Sequence, residues 1–150
     1  MEKIHSSINI NADVEKVWHT MLADPTYRQW TTAFSEGSYY EGDWNEGSEI
    51  KFLGADKDGN TMGMYSRIKE NDKYVFLSIE HLGIVKNGEI DTTSDEVKKW
   101  APSYENYSFS ENDDGTTTVA VDMDIDKEYK TMFEDMWPKA LSKLKNLCEQ

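Results

Sequence analysis

The sequence predicts an α+β domain in which one long C-terminal α-helix packs against an antiparallel sheet. Three observations carry that prediction. From Asp126 to Glu149 the apolar residues recur at i, i+3, i+4 and i+7, through Tyr129, Met132, Phe133, Met136, Trp137, Ala140, Leu141, Leu144 and Leu147 or Cys148, the stripe of a single helix face held for about six turns. The middle of the chain instead reads as short segments separated by Gly, Asn and Asp turns, the pattern of antiparallel strands. Between the first strand and the rest lies a helical corner. A stripe as wide and aromatic as the terminal one must bury itself against something large, and a sheet is the only candidate.

Taken in order, residues 3–10 alternate, with Ile4, Ser6, Ile8 and Ile10 on one side. Asn11 or Asp13 caps a helix whose face is Val14, Val17, Trp18, Met21 and Leu22, and Asp24-Pro25 stops it. A helical turn from Thr26 to Trp30 completes the corner. Strands follow at 37–40, 48–53, 61–70 and 73–82, and a last hairpin joins 104–110 to 116–124 around Asp113-Asp114-Gly115. Residues 83–102 lack strand alternation and form the longest interruption, with Ser94 as cap of a short helix over 94–100. In the terminal helix Asp126 is the candidate cap, acidic residues crowd the first half, and Lys139, Lys143 and Lys145 lie in the second, as the helix dipole favours. Pro138 interrupts the hydrogen bonding, yet the stripe keeps its phase, which predicts one kinked helix rather than two. No repeat, linker or low-complexity tract divides the chain, so one domain over residues 1–150 is expected.

The net charge is −13, with 37% hydrophobic and 30% charged residues. Such a surface repels phosphate backbones and anionic lipid, which argues against nucleic acid and membrane partners. No 18-residue apolar run and no signal peptide stand out, and the lone Cys148 has no internal disulfide partner; together these predict a cytoplasmic protein.

Ile8-Asn9-Ile10-Asn11-Ala12-Asp13-Val14-Glu15-Lys16-Val17-Trp18, then Asp24-Pro25 with Trp30 beyond, and Phe133 to Leu144 with Trp137, Leu141 and Leu144, resemble the opening, corner and closing helix of one known family. It is the family of homologues of the activator of the heat-shock chaperone ATPase, within the SRPBCC (START and pollen-allergen-like) superfamily. The resemblance runs through essentially the whole chain; Asp13 stands where the family usually has proline. It implies the helix-grip fold and a cavity between sheet and terminal helix that commonly takes an apolar or aromatic small molecule. It does not fix an activity, since the same fold hosts carriers, receptors, cyclases and chaperone regulators.

Candidate chemistry is sparse. His5, His19 and His81 share no ligand spacing with each other or with Cys148, so no metal is predicted, and no cofactor is implied. In Glu80-His81 only one side chain can face inward, and it either orients a ligand or ends a solvated strand. Glu105 shares a strand face with Tyr107 and Phe109, as an acid–base group or as half of an ordinary ion pair. Asp56, Asp58 and Asn60 hint at a calcium loop, but the glycine is misplaced and no closing glutamate follows, so they read as a turn. Met62, Met64, Tyr65, Trp100, Tyr107, Phe133, Met136 and Trp137 form an aromatic and methionine-rich set that either fills a core or lines an adaptable pocket.

Spacing reveals no nucleophile–base pair, phosphate loop or paired carboxylates, which leaves enzymatic activity open and favours a binding role. The expected ligand site comprises Trp30, Tyr65, His81, Trp100, Glu105, Tyr107, Phe133 and Trp137, with residues 83–102 as its lid and a small hydrophobic ligand as the partner. The alternatives are a cyclase or hydratase working in the same cavity, and an interaction module whose acidic surface meets a chaperone or another protein.

Overall fold

A computed structural model describes residues 1–150. Along the chain come β1 (Glu2–Ile10), α1 (Val14–Leu22), α2 (Asp24–Trp30), β2 (Tyr39–Gly42), β3 (Glu49–Ala55), β4 (Thr61–Asp72), β5 (Phe76–Lys86), β6 (Glu89–Asp91), α3 (Asp95–Lys98), β7 (Ser103–Glu111), β8 (Thr117–Ile125) and α4 (Lys130–Cys148). The strands form one antiparallel sheet in the spatial order β1-β8-β7-β5-β4-β3-β2, with β6 paired to the end of β5. Helix α4 lies on the inner face of this curved sheet, packed most heavily on β1 and flanked by α1 and α2.

The local chemistry explains the corner. Asp13 accepts the Lys16 amide at 2.8 Å and caps α1, whose apolar stripe from Val14 to Leu22 is buried. Pro25 occupies the first turn of α2, where its missing N–H removes no helical bond. The carbonyls freed at the end of α1 are claimed by aromatic donors. Trp30 Nε1 donates to Met21 at 3.0 Å, and Tyr40 OH and Trp44 Nε1 donate to Leu22 at 2.6 and 3.1 Å. These bonds lock α1 to α2 and β2 while satisfying groups that burial would otherwise orphan.

The terminal helix differs from its sequence reading at the start. Asp126 accepts the Glu128 amide at 3.0 Å, but it caps a 3₁₀ turn over Lys127–Tyr129 before α4 begins. Tyr129 and Met132, the first members of the stripe, are 46% and 48% exposed, so the helix overhangs the sheet there. Tight packing begins at Trp137 and continues through Ala140, Leu141, Leu144 and Cys148. Pro138 lies on the exposed side of an unbroken helix, where water can solvate the Glu134 carbonyl it leaves unbonded.

The stretch 83–102 holds a hairpin that alternation missed. Strand β5 continues to Lys86 and turns at Asn87-Gly88, both at positive φ (52° and 81°), into β6. The register with β4 slips at Leu82, since Tyr65 pairs Gly83 while Ser66 pairs His81, and that bulge breaks the period-two pattern. The segment also folds away from α4. Gly83 pairs with Tyr65 on the outer face, and a Cβ there would meet the Asp91 carbonyl oxygen at 2.3 Å and Thr92 at 2.9 Å. Leu53, Val85 and Val97 are buried apart from the main core, with α3 packed on β5. The insertion is an outer brace of the sheet, not the lid over the inner cleft that its length suggested.

Candidate functional site

Alternation along three neighbouring strands places a line of polar side chains on the inner face. On β4 the inward residues are Met64, Ser66 and Ile68; on β5 they are Leu77, Ile79 and His81; on β7 they are Ser103, Glu105, Tyr107 and Phe109. Ser66 lies directly across from His81, and their side chains meet at 2.7 Å between Oγ and Nδ1. The other ring nitrogen, Nε2, lies 3.0 Å from Glu105 Oε1, and the Tyr107 hydroxyl donates to Glu105 Oε2. A carboxylate only accepts, so Nε2 donates to Glu105, and Nδ1 and the Ser66 hydroxyl share the remaining hydrogen bond. The row Ser66–His81–Glu105–Tyr107 is thus satisfied from end to end.

Its surroundings are aromatic. Phe52 stands edge-on to His81 at 6.0 Å between ring centroids, and Tyr27 packs at 6.3 Å from Phe52. Trp137 of α4 covers Tyr107 at 6.0 Å, its indole N–H points to Met123 Sδ at 3.4 Å, and Met123 pairs with Glu105 across β7 and β8. Phe34 bridges Trp137 at 4.8 Å and Phe133 at 6.0 Å. Burial, then the Glu105 charge, pushes the Tyr27 and Tyr107 phenols well above their ordinary range, so both remain neutral donors.

The inner face is not sealed here. Phe34, Phe52, Met123 and Phe133 pack against the core but stay only partly buried, as does the inward Met64, and the Glu105 side chain keeps 15% of its surface in solvent. Ser66, by contrast, is fully buried. The most solvent-accessible member of the row is therefore the carboxylate, and the serine cannot reach a substrate as a nucleophile. The arrangement can accept a hydrogen bond or a positive charge at Glu105 beneath an aromatic wall. Two depressions lie elsewhere on the molecule. One of about 140 Å³ is on the outer face beside His5, Tyr104 and Asp122. The other, of about 410 Å³, is an open groove between α1 and Trp44, rimmed by His19 and Lys73.

Of the residues singled out in the sequence, His81, Glu105, Tyr107, Phe133 and Trp137 come together at this opening, and Trp30 supports it from behind Trp137 at 6.3 Å. Tyr65 and Trp100 do not join them. Tyr65 points to the outer face, where its hydroxyl donates to Glu49 at 2.6 Å, and the half-buried Trp100 follows α3 outside the aromatic network. Asp56 spends its carboxylate on the amides of Asp58 and Asn60, both at 2.9 Å, as a turn does. Sequence reasoning missed Ser66, Tyr27, Phe34, Phe52 and Met123. Only the register could have found Ser66, whereas Phe52 was legible as the inward residue of its alternating strand.

A sheet gripping a C-terminal helix, with aromatic and polar groups meeting between them, defines a protein of the helix-grip class. Residues 11–149 match the family described as "Activator of Hsp90 ATPase homolog 1-like protein", and the chain belongs to that family. Among solved structures, the AHSA1-like protein from Aeromonas hydrophila is 18% identical, with a TM-score of 0.71 over 99% of this chain and 92% of that one. The Aha1 dimer from Colwellia psychrerythraea is 16% identical, with a TM-score of 0.71 over 99% and 97%. These likenesses share the fold. No curated protein matches the chain.

Proposed function

We propose that this protein is a cytoplasmic binding module that takes a small, largely apolar or aromatic molecule between the sheet and the N-terminal half of α4. The observation that carries the reading is the combination on one face: partly buried Phe34, Phe52, Met64 and Phe133 around a carboxylate that the fold holds on its inner face. A filled core would have buried those side chains, and an ordinary inner face would have had no carboxylate. Apolar walls with one or two convergent polar groups are the usual makeup of a small-molecule site. Trp30, His81, Glu105, Tyr107, Phe133 and Trp137 are its residues in this reading, without Tyr65 and Trp100. No helix is long and apolar enough to cross a membrane.

The test uses 2-phenylethanol as a neutral probe. Its addition should raise the melting temperature saturably, because a ligand bound only to the folded state stabilises it by mass action. Tyr107→Trp should abolish the rise by filling the space under Trp137, at an overpacking cost of about 1–3 kcal/mol. Absence of any rise, or an undiminished rise in the variant, would remove the site. An increase in the Hsp90 ATPase rate on adding the protein would instead move the function to its outer surface.

A further inference from the structure

The inner carboxylate has no permanent cation beside it. Glu105 meets an imidazole and a phenol, and no lysine or arginine lies within ion-pair distance of it. On the outer face the same strands handle a buried carboxylate differently. Glu80 receives Arg67 Nη2 at 3.0 Å together with the Tyr104 hydroxyl at 2.9 Å. The inward residues that flank Glu105 on these strands, Met64, Ser66, Ile68, Leu77, Ile79, Tyr107, Val121 and Met123, carry no charge, which leaves the His81 ring as the one ionisable neighbour on that part of the face besides the Tyr107 phenol. A carboxylate has about four lone-pair sites, and only one on each oxygen is used here. A charge set on a largely apolar face is costly unless something pairs it.

From these facts we infer that the ligand of this site carries a protonated amine, which takes the open lone pairs of Glu105 while its apolar body lies against Phe34, Phe52 and Trp137. The inference rests on the site proposed above and names the chemistry of its guest. Aromatic faces around the opening favour a cation as well as an apolar body. The groups facing the amine are Glu105, the His81 ring and the neutral phenols of Tyr27 and Tyr107. An anionic guest meets the opposite situation, since it would approach Glu105 within a protein of net charge −13.

The test is calorimetric titration with three probes of one skeleton: 2-phenylethylamine, 2-phenylethanol and phenylacetate. The expected order is amine tightest, by roughly tenfold over the alcohol, with no measurable binding of phenylacetate. In Glu105→Gln the tenfold preference for the amine should vanish, and an unchanged far-UV spectrum with cooperative thermal unfolding shows that the variant is folded. An amine that binds no tighter than the alcohol, or a preference that survives Glu105→Gln, overturns the inference and leaves the binding reading standing. Failure of all three probes overturns both.

Discussion

The two faces of the sheet carry parallel polar rows one residue apart on the same strands. Ser66, His81 and Glu105 look inward, while Arg67, Glu80 and Tyr104 look outward. The outer row is closed by a guanidinium. Burial pushes the Glu80 carboxyl up, but hydrogen bonds from Arg67 and Tyr104 and the charges of Arg67 and Lys69 outweigh it and hold it below its ordinary value. The row continues to β8 and β1, where the Tyr104 amide donates to Asp124 and Lys3 pairs with that carboxylate. The inner row has hydroxyls and an imidazole in place of the guanidinium. The difference teaches that one row is closed by a permanent cation, as a structural brace is, while the other meets its carboxylate only with a hydroxyl and an imidazole.

The largest expected effect tests the roof over the inner row. Trp137 is 2% exposed and touches Trp30, Phe34 and Tyr107, so Trp137→Ala should destabilise the protein by about 3–5 kcal/mol in urea unfolding. A loss well under 1 kcal/mol would mean that the helix does not grip this face. Alkaline unfolding tests the two buried phenols next. Tyr27 and Tyr107 keep their protons in the folded state above the ordinary phenol pKa of about 10, so the unfolded chain releases protons first and stability falls as pH rises beyond that value. The slope should approach about 1.4 kcal/mol per pH unit for each tyrosine, and Tyr107→Phe should remove one share of it.

For the outer row, Arg67→Met strands the Glu80 carboxylate with Tyr104 alone and should cost about 1–3 kcal/mol. Because Glu80 is held low when folded, its contribution is present above the ordinary carboxylate range and fades as pH drops through the folded value; Arg67→Met should weaken that acid dependence. Glu105→Gln keeps an acceptor for His81 and should cost about 1 kcal/mol or less, and a larger loss would show the inner row to be a brace like the outer one. The smallest effect belongs to Tyr65→Phe on the outer surface, which should stay within about 0.5 kcal/mol and leave probe binding unchanged.

The architecture was legible because its signals are periodic and local. The α4 stripe, the Asp13 cap and the Asp24-Pro25 break each state an element in a few residues. The site was legible only where a polar residue interrupted an apolar face, as Glu105 does beside Tyr107. Ser66 carried no such signal, because a serine in a strand becomes a partner of His81 only through a register that the bulge at Leu82 sets. Tyr65 was grouped with Met64 by composition, although adjacent strand residues must point to opposite faces. The role of residues 83–102 was hidden by the same bulge, which disguised the Asn87-Gly88 hairpin as irregular chain. Tertiary register, not propensity, decided each of these cases.

The most direct test of the inner opening as a binding site is a two-dimensional amide and indole NMR titration with 2-phenylethylamine. The account predicts saturable shifts at the Trp137 indole N–H and at the amides of Glu105, Met123 and His81, with Arg67, Glu80 and Tyr104 changing far less. Shifts confined to the outer face or to the groove beside Trp44, or no saturable shift at all, would contradict it.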